Sequence, residues 1–385
     1  MSLRVAIDAR PAVSPGKTGV GYYTWHLIHQ LPKVDPGTTY LAWYLYARRL
    51  QGRLLFFRDV QEPNFVERWT PFPSRWWWRL EEGYALPRVE WFVKFDVLWA
   101  TNFIPPPTRA RRIVVTVHDL AYRLYPETAP HSTRRWLRRI DDSVRRATHI
   151  LVPSESTKHD LVDLYPVEPE RVTVAHLGVD AEAFRPSEDE AVELIRDRFG
   201  IDRPYFLYVG GIEPRKNLPR LVQAFAGLPE NVALVIAGAS VHWNPEGWNL
   251  LRPSLEALAP DARRRVIFTG YVTEAQKVAL LGGAVALVYP SLYEGFGLPV
   301  AEALACGAPV VTSNVSSLPE VVGDAALLVD PDDPEAIRDG MRRVLEDEAL
   351  RRRLAEAGPR RAASFTWEDT ARKTAAALRR AGEDA

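Results

Sequence analysis

The sequence has a single cysteine, Cys306, among its 385 residues. An intrachain disulfide is therefore excluded, and a metal site built from several thiolates is not expected. The chain also lacks any run of about 18 consecutive apolar residues, the length that a membrane-spanning helix needs. Its first residues, "MSLRVAIDAR", enter a strand-like segment without the pattern of a signal peptide. Together these absences predict a cytoplasmic protein.

A net charge is absent as well, because 49 basic and 49 acidic residues cancel. The zero hides an asymmetry: residues 1–186 hold 26 Lys and Arg against 20 Asp and Glu, whereas residues 187–385 hold 23 against 29. Nine of the twelve tryptophans lie in the first half. A chain of this length is longer than a single domain with one hydrophobic core usually is. We therefore predict two domains with different surfaces, 1–183 and 184–365, and a C-terminal helical segment, 366–385.

Short apolar runs alternate with segments of helical period along the chain. Continuously apolar runs are typical of strands covered on both faces, and their alternation with helices predicts parallel, doubly wound α/β sheets. Ligands in such sheets bind outside the carboxyl ends of the strands, so the chemistry is expected at the strand–helix junctions. The predicted strands are 4–8, 96–100, 112–117, 149–154, 171–177, 205–210, 232–238, 265–270, 286–291, 309–313 and 326–329.

The first junction of interest is "YEGFGLPVAEALACG", residues 293–307. Its glycine-rich turn lets a ligand approach the backbone, and the helix that follows directs main-chain N–H groups and a positive dipole end at an anion. Glu294 and Glu302 are acceptors suited to sugar or ribose hydroxyls. The alternative interpretation is a capped helix with two exposed glutamates. The turn and the start of the helix comprise Gly295, Phe296, Gly297 and Leu298.

A second junction, "YVGGIEPRKNLPRLVQAFA" (208–226), presents Arg215 and Lys216 just before a helix. Two cations at such a place can neutralise a diphosphate without a metal ion. Asn217 is predicted as the N-cap of the helix. The alternative is a solvated basic pair. A cation pair and a glutamate pair at two junctions of one domain favour a shared ligand site.

These motifs resemble those of the retaining glycosyltransferases of the GT-B fold, and more narrowly those of family four, which contains bacterial mannosyltransferases and glucosyltransferases. The resemblance rests on the E-x7-E element with "EGFGLP" and on "GGIEPRKN", which are specific as a set. Weaker matches extend over nearly the whole chain: "IDARPAVSPGKTGVGYYTWHL" (7–27), "TVHDL" (116–120), "VPSESTKHDL" (152–161), "HLGVD" (176–180) and "TGYV" (269–272). The fold class expected is therefore two Rossmann-like domains facing each other across a cleft.

The resemblance also implies roles for single residues. Arg215 and Lys216 would bind the donor diphosphate, Glu294 would contact the donor sugar, and Glu302 would contact the ribose. Many family members carry arginine where this chain has Gly211, which leaves one cation fewer at the diphosphate.

Other implied positions lie elsewhere in the chain. Gly270, Tyr271 and Val272 would lie near the nucleotide base. His118 would contact the donor sugar and help to position the acceptor, and the loop with Gly19 and Gly21 would cover the reaction centre. For Gly19 and Gly21, a tight connection between strand and helix without a functional role is an equal alternative. The resemblance further implies that 366–385 crosses back to the N-terminal domain.

No metal or organic cofactor is expected, since the nucleoside diphosphate sugar is the donor substrate and the Arg215–Lys216 pair replaces a metal. The pair His118–Asp119 lacks further clustered ligands and is interpreted as structural. "GKT" at 16–18 resembles a nucleotide-hydrolase loop, but the required glycine is Pro11.

The predicted reaction moves a hexose, by our interpretation mannose from GDP-mannose, to a hydroxyl of a glycan or lipid-linked acceptor with retention at the anomeric carbon. The departing phosphate oxygen takes the acceptor proton in one mechanism, and Glu294 is a covalent nucleophile in the other. Two other functions stay open: a GT-B sugar-nucleotide 2-epimerase and a non-catalytic binder of sugar nucleotides.

Two segments are basic and aromatic: "HSTRRWLRRIDDSVRRA" (131–147) and the tryptophan-rich 68–92. Such faces suit anionic bilayers, so peripheral contact with the inner face of a membrane is one hypothesis, and a solvated arginine-rich surface is the alternative. Nucleic acid is not an expected partner, because the sequence contains no recognition module.

Overall fold

The structure, a computed structural model, describes residues 2–14, 18–45, 56–70, 87–126, 134–238 and 245–383. Two predictions fall partly outside these ranges. The tryptophan-rich stretch is described only at 68–70 and 87–92, and residues 131–133 of the arginine-rich segment lie outside the description.

The chain forms two compact units. The first comprises 1–120, 131–178 and 366–385, and the second comprises 121–130 and 179–365. The boundary between the two units therefore lies at 178/179, whereas the sequence analysis placed it at 183/184. The segment 121–130, assigned by sequence to the first domain, belongs to the second unit.

The first unit is built on a parallel sheet. In order along the chain its strands are β1 (Arg4–Asp8), β2 (Thr39–Leu45), β3 (Phe65–Thr70), β4 (Val97–Ala100), β5 (Ile113–Thr116), β6 (His149–Val152) and β7 (Val172–Val174). Within the described residues the spatial order is β3-β2-β1-β4-β5-β6-β7. Every residue of β4, β5 and β6 is buried, as expected for strands covered on both faces.

Two strands of this sheet, β2 and β3, were not predicted. β2 is an apolar and aromatic run in which Tyr40, Trp43 and Tyr44 are buried. β3 pairs with it in parallel at the edge of the sheet, where Trp69 is 44% exposed. Its mixed sequence, "FVERWT", reflects that edge position, because an edge strand has one side open to solvent.

The second unit has its own parallel sheet. Its strands are β8 (Tyr205–Val209), β9 (Ala233–Ala237), β10 (Val266–Gly270), β11 (Ala286–Tyr289), β12 (Val310–Ser313) and β13 (Leu327–Val329), each within a predicted run. Their order in the described residues is β10-β9-β8-β11-β12-β13. β9 and β10 are added in turn on one side of β8, and β11, β12 and β13 are added in turn on its other side. β8 and β11 are therefore neighbours at the topological switch point of the sheet.

Helices connect the strands of both sheets. They are α1 (Gly19–Val34), α2 (Ala121–Leu124), α3 (Arg134–Arg146), α4 (Glu155–Leu164), α5 (Asp189–Phe199), α6 (Leu218–Ala226), α7 (Pro245–Glu256), α8 (Pro260–Arg264), α9 (Glu274–Gly282), α10 (Leu298–Ala305), α11 (Leu318–Val322), α12 (Pro334–Glu346), α13 (Glu348–Ala362) and α14 (Trp367–Glu383). In the part of the chain that the structure describes, none of them is both long and apolar enough to cross a bilayer.

The arginine-rich helix α3 buries its apolar side. Ile140 is 5% exposed and Val144 is fully buried, whereas Arg138, Arg145 and Arg146 are exposed. This is the pattern of an ordinary amphipathic helix packed on a globular core. Among the side chains of residues 137–146, which the structure describes, Ile140 and Val144 are thus used within the first unit, and Arg138, Asp142, Arg145 and Arg146 are exposed.

The C-terminal helix α14 packs within the first unit against the chain just before the division. The Thr370 hydroxyl donates to His176 O at 2.6 Å, and Thr370 is fully buried. At Gly178 an added Cβ would lie 2.6 Å from Trp367 Cα, a separation that real Cβ atoms essentially never show. The close approach of two backbone segments explains the glycine.

Replacement of Gly178 by alanine should therefore destabilise the protein by about 3 kcal/mol, because rigid backbone cannot move aside as a flexible side chain would. Urea denaturation of the variant measures this loss. Gly37→Ala is the matched control, since nothing lies within 4 Å of a Cβ there, and it should change stability by less than about 0.5 kcal/mol. Equal effects of both variants would contradict the packing described for α14.

Candidate active site

The two junctions singled out in the sequence meet at the switch point of the second sheet. The chain leaves β8 through Gly210 and Gly211 and reaches Arg215 and Lys216 in the short 3-10 turn Pro214–Lys216. It leaves β11 through Pro290 and reaches Glu294. Because β8 and β11 are adjacent and parallel, both segments emerge at the same edge.

Glu294 lies between the two cations. Lys216 Nζ is 2.6 Å from Glu294 Oε1, and Arg215 Nη1 donates to Glu294 Oε2 at 3.0 Å. Glu294 is 6% exposed and Lys216 8%, so this is a buried ion pair that excludes the interpretation of a solvated basic pair. The same geometry excludes an exposed glutamate at 294.

The phenol of Tyr289, at the end of β11, links the pair. Tyr289 Oη accepts from Lys216 Nζ at 2.6 Å and donates to Glu294 Oε1 at 3.1 Å. Burial, together with the adjacent Glu294 charge, raises the pKa of Tyr289 well above its ordinary value, so the hydroxyl keeps its proton. Its ring stacks on Tyr208 of β8, with centroids 5.8 Å apart. The sequence analysis missed Tyr289, because a tyrosine inside an apolar strand carries no signal of function.

The electrostatics of the site are set by these contacts. Burial by itself would raise the pKa of Glu294, but Lys216 and then Arg215 outweigh it and lower that pKa from 4.5 to about 2. The carboxylate is therefore ionised at every physiological pH. It is a hydrogen-bond acceptor and a weak base.

The turn that carries the cations is fastened to the neighbouring strand. Asn217 occupies the N-cap position of α6, as predicted, but its φ of 62° is left-handed and its side chain makes no capping hydrogen bond. Its amide instead donates to Pro290 O at 3.0 Å and to Pro331 O at 2.7 Å. Leu292 N donates to Arg215 O at 2.8 Å. Asn217 therefore positions the cations by bridging two strand ends, which a local capping pattern could not show.

The glycine-rich turn after Glu294 is equally constrained. Gly297 has φ 97°, and a Cβ there would lie 2.7 Å from Leu318 Cδ2. Ser317 Oγ donates to both Glu294 O and Phe296 O at 2.9 Å. Phe296 is 3% exposed and packs edge-on against Phe365, with centroids 5.3 Å apart. Gly295 is also buried in this turn, so the motif orients Glu294 through packing.

Helix α10 starts from this turn, with Leu298 as its first residue and a proline next to it. Gly307, with φ 70°, follows the Cys306 C-cap, as predicted. The positive end of α10 thus lies beside Glu294 at the carboxyl edge of the sheet, where it favours an anion.

Glu302, one turn into α10, is 7% exposed and pairs with Lys277 Nζ of α9 at 2.7 Å. Burial raises the pKa of Glu302, and the Lys277 charge opposes that rise. Lys277 also lies 4.5 Å above the ring of Phe184. The sequence analysis predicted Glu302 as a ribose acceptor but missed Lys277, which holds Oε2 of that carboxylate.

The remaining predicted donor positions lie at the carboxyl ends of neighbouring strands. Gly211 is exposed after β8, and Gly270, with φ 69°, ends β10 and accepts from Gly238 N at 2.8 Å. The side chain of Tyr271 is 74% exposed, whereas Val272 is 9% exposed. Tyr271 is thus an open aromatic face at this edge.

His118, Gly19 and Gly21 belong to the first unit. His118 follows β5, and its Nε2–H donates to Thr101 O at 2.8 Å, which leaves the lone pair of the neutral ring on Nδ1. Burial lowers the pKa of His118, while the Thr101 carbonyl opposes that change. Gly19 and Gly21, predicted in a loop, are instead in the first turn of α1.

Among the described residues, no three His, Cys, Asp or Glu side chains are grouped so that they could hold a metal ion. His118 Nε2 is engaged by the Thr101 carbonyl.

Replacement of Glu294 by glutamine should destabilise the second unit by about 3 kcal/mol at neutral pH, because it leaves the buried Lys216 without a counter-charge, whereas Arg215 keeps its contact with Glu213. The folded pKa of Glu294 lies below its unfolded value. Its stabilisation is therefore complete above pH about 5 and is lost as the pH falls towards 2. Urea denaturation between pH 3 and 8 should show the gap between wild type and variant closing at low pH. Glu346→Gln, at the exposed end of α12, is the control, and a gap independent of pH would contradict the pairing.

Known proteins match both units. Residues 192–361 match the family described as Glycosyl transferases group 1, and residues 18–183 match Glycosyltransferase Family 4. The chain is 32% identical over 330 residues to O-antigen chain mannosyltransferase B of Escherichia coli. The aligned region covers 84% of this chain and 82% of that protein. It is 30% identical to the serotype-specific mannosyltransferase WbdA of Escherichia coli over 70% of this chain, but spans about a third (34%) of that protein.

A solved structure extends the likeness to the fold. Anabaena Alr3699/HepE, in complex with UDP and glucose, matches with a TM-score of 0.71 at 18% identity, over 98% of this chain and the whole of that one. Two Rossmann-like units built on parallel sheets are the architecture that the resemblance predicted. The chain belongs to the group 1, family 4 glycosyltransferases and has their GT-B fold.

Proposed function

We propose that the protein is a retaining glycosyltransferase that moves a hexose from a nucleoside diphosphate sugar to a hydroxyl of a glycan or lipid-linked acceptor. The observation that carries the proposal is buried Glu294, held by Arg215 and Lys216 at the switch point of the second sheet. This is the place at which open α/β sheets bind their ligands.

The donor diphosphate would meet the cations without displacing Glu294. An ammonium group has three N–H donors, and Tyr289 and Glu294 take two of those of Lys216. The third donor is left for a phosphate oxygen, and the positive end of α10 adds to the attraction. As the leaving diphosphate gains negative charge, these fixed donors stabilise the transition state more than the ground state. The two cations make a metal unnecessary in this mechanism.

Glu294 would hold hydroxyls of the donor sugar. With a pKa of about 2 and three donors on its oxygens, it is a poor proton acceptor and a poor nucleophile. This supports the mechanism in which the departing phosphate oxygen takes the acceptor proton on the same face, rather than the covalent one. His118 is neutral near pH 7 because burial lowers its pKa, and its Nδ1 would accept from a sugar hydroxyl.

Mannose is the proposed sugar, with GDP-mannose as donor. The support is the 32% identity to O-antigen chain mannosyltransferase B over most of both chains. A glycan is the proposed acceptor, because the name of the same relative describes an enzyme of the O-antigen chain. Glu302, restrained by Lys277, would accept from the ribose, and exposed Tyr271 would lie against the base.

Contact with an anionic membrane is the remaining part of the proposal. Exposed Arg138, Arg145 and Arg146 on α3 support electrostatic attraction at the inner face. Insertion of the apolar side of α3 is not part of it, because Ile140 and Val144 are buried in the unit.

A screen of GDP-, UDP-, ADP- and dTDP-sugars should raise the melting temperature for GDP-mannose above the others, since a ligand stabilises the fold that binds it. Lys216→Ala should bind that donor at least about tenfold more weakly, the loss of one charge-assisted contact. The matched control is Arg342→Ala, a surface cation on α12 paired with Asp339. A donor response unchanged by Lys216→Ala would contradict the proposed diphosphate site.

Turnover should release nucleoside diphosphate mainly when an acceptor is present, and proton NMR should show the donor's anomeric configuration in the product. Intact-mass measurement during turnover should show no glycosyl adduct on Glu294. An inverted product would overturn retention, and an adduct would restore the covalent mechanism. Donor consumed without acceptor would instead indicate an epimerase.

A further inference from the structure

A second pocket lies in the first unit, at the edge of the sheet opposite to His118. Three of its lining residues, Asp96, Arg112 and Thr148, immediately precede β4, β5 and β6. The amino-terminal ends of parallel strands form one edge, and His118 follows the carboxyl end of β5 at the other. The pocket has a volume of about 740 Å³, and its lining contains none of the residues assigned to donor binding.

Two chain segments form its walls and are fastened to each other. Val89 N donates to Pro107 O at 3.0 Å. Glu90 Oε1 accepts from Arg109 N at 2.7 Å and from Ala110 N at 2.9 Å. Burial by itself would raise the pKa of Glu90, but hydrogen bonds from the Thr108 hydroxyl and then from these amides outweigh it and lower that pKa.

Thr148, which also lines the pocket, is hydrogen-bonded to the second of these segments. Its hydroxyl accepts from Ile113 N and donates to Arg111 O, both at 3.1 Å. Arg146, at the end of α3, donates to Thr108 O at 3.1 Å. The backbone around the pocket is therefore a fixed frame and not a set of independent loops.

Four arginines line this frame: Arg88, Arg109, Arg111 and Arg112. In the described part of the chain, their guanidinium groups make no ion pair or hydrogen bond, whereas several exposed helix arginines of this protein pair with a carboxylate one turn away, as Arg352 does with Glu348 and Arg372 with Glu368. The lining also holds two carboxylates: Glu90 accepts through Oε1 from the Thr108 hydroxyl as well as from the two amides, and Asp96 accepts from Arg4 N at 2.8 Å.

Like charges gathered on a rigid frame repel one another, and an anion relieves that repulsion. Guanidinium groups match the geometry of phosphate through paired N–H donors. Trp91, 61% exposed in the same lining, adds a flat apolar face beside the charges. We propose that this pocket binds the phosphate group of a phosphorylated ligand, supplied by a soluble phosphorylated compound or by an anionic lipid headgroup.

The test compares two double variants that each remove two positive charges from the full-length protein. Arg111→Ala with Arg112→Ala alters the pocket. Arg372→Ala with Lys373→Ala alters helix α14, where both cations are paired with their own carboxylates. Both proteins keep the donor site, so phosphate bound there contributes equally. Urea denaturation of both checks that they fold.

Inorganic phosphate is titrated at constant ionic strength and followed by phosphorus NMR line broadening, and vesicles of phosphatidylglycerol or phosphatidylcholine are sedimented with each protein. The pocket variant should bind phosphate at least about tenfold more weakly than the α14 variant. A loss confined to inorganic phosphate identifies a soluble ligand, and a loss that extends to phosphatidylglycerol vesicles identifies a headgroup. Equal binding by the two variants in both arms would overturn the proposal. Arg88→Gln with Arg109→Gln, which neutralises the other two arginines of the lining, should repeat the loss.

Discussion

A carboxylate removed from water must be paired, and in this protein the pairing of Glu294 with Lys216 and Arg215 organises the second unit. A buried charge without a partner costs several kcal/mol, so the two strand–helix junctions that carry these groups have one acceptable arrangement. Tyr289 keeps its proton and lies between the ammonium and the carboxylate. The result is a charged cluster held in place by the protein's own contacts, and such preorganised charges are the condition for electrostatic catalysis.

The sheet brings these groups together. Lys216 and Glu294 are 78 positions apart in the chain, yet β8 and β11 are adjacent because two strands, β9 and β10, extend the sheet in the other direction. The carboxyl ends of β8 and β11 open at the switch point, and α10 adds its positive end there. The first sheet has the same parallel design, with its own reversal of strand order between β1 and β4.

Local pattern predicted well wherever the local sequence decides the structure. Apolar runs located every strand of the second sheet, and Gly307 ended α10 as expected. Prediction failed where distant contacts decide. β2 and β3 were missed because an aromatic run and a mixed edge strand differ from the buried strands beside them. Asn217 stands at the predicted N-cap position, but its side chain does not cap the helix, because it donates instead to Pro290 and Pro331, which are far away in the chain. The apolar side of α3 is occupied by its own unit, which periodicity does not reveal.

Residue order settled the family, the alternation of strands and helices, and the chemical groups available, because these depend on composition and spacing along one stretch of chain. Folding settled what those groups do to one another. Only three-dimensional contact placed two cations and a tyrosine on Glu294, so that its pKa falls to about 2, and a lysine on Glu302. Proton affinity depends on burial and on charges within a few ångströms, and neither distance nor burial is encoded in a linear motif.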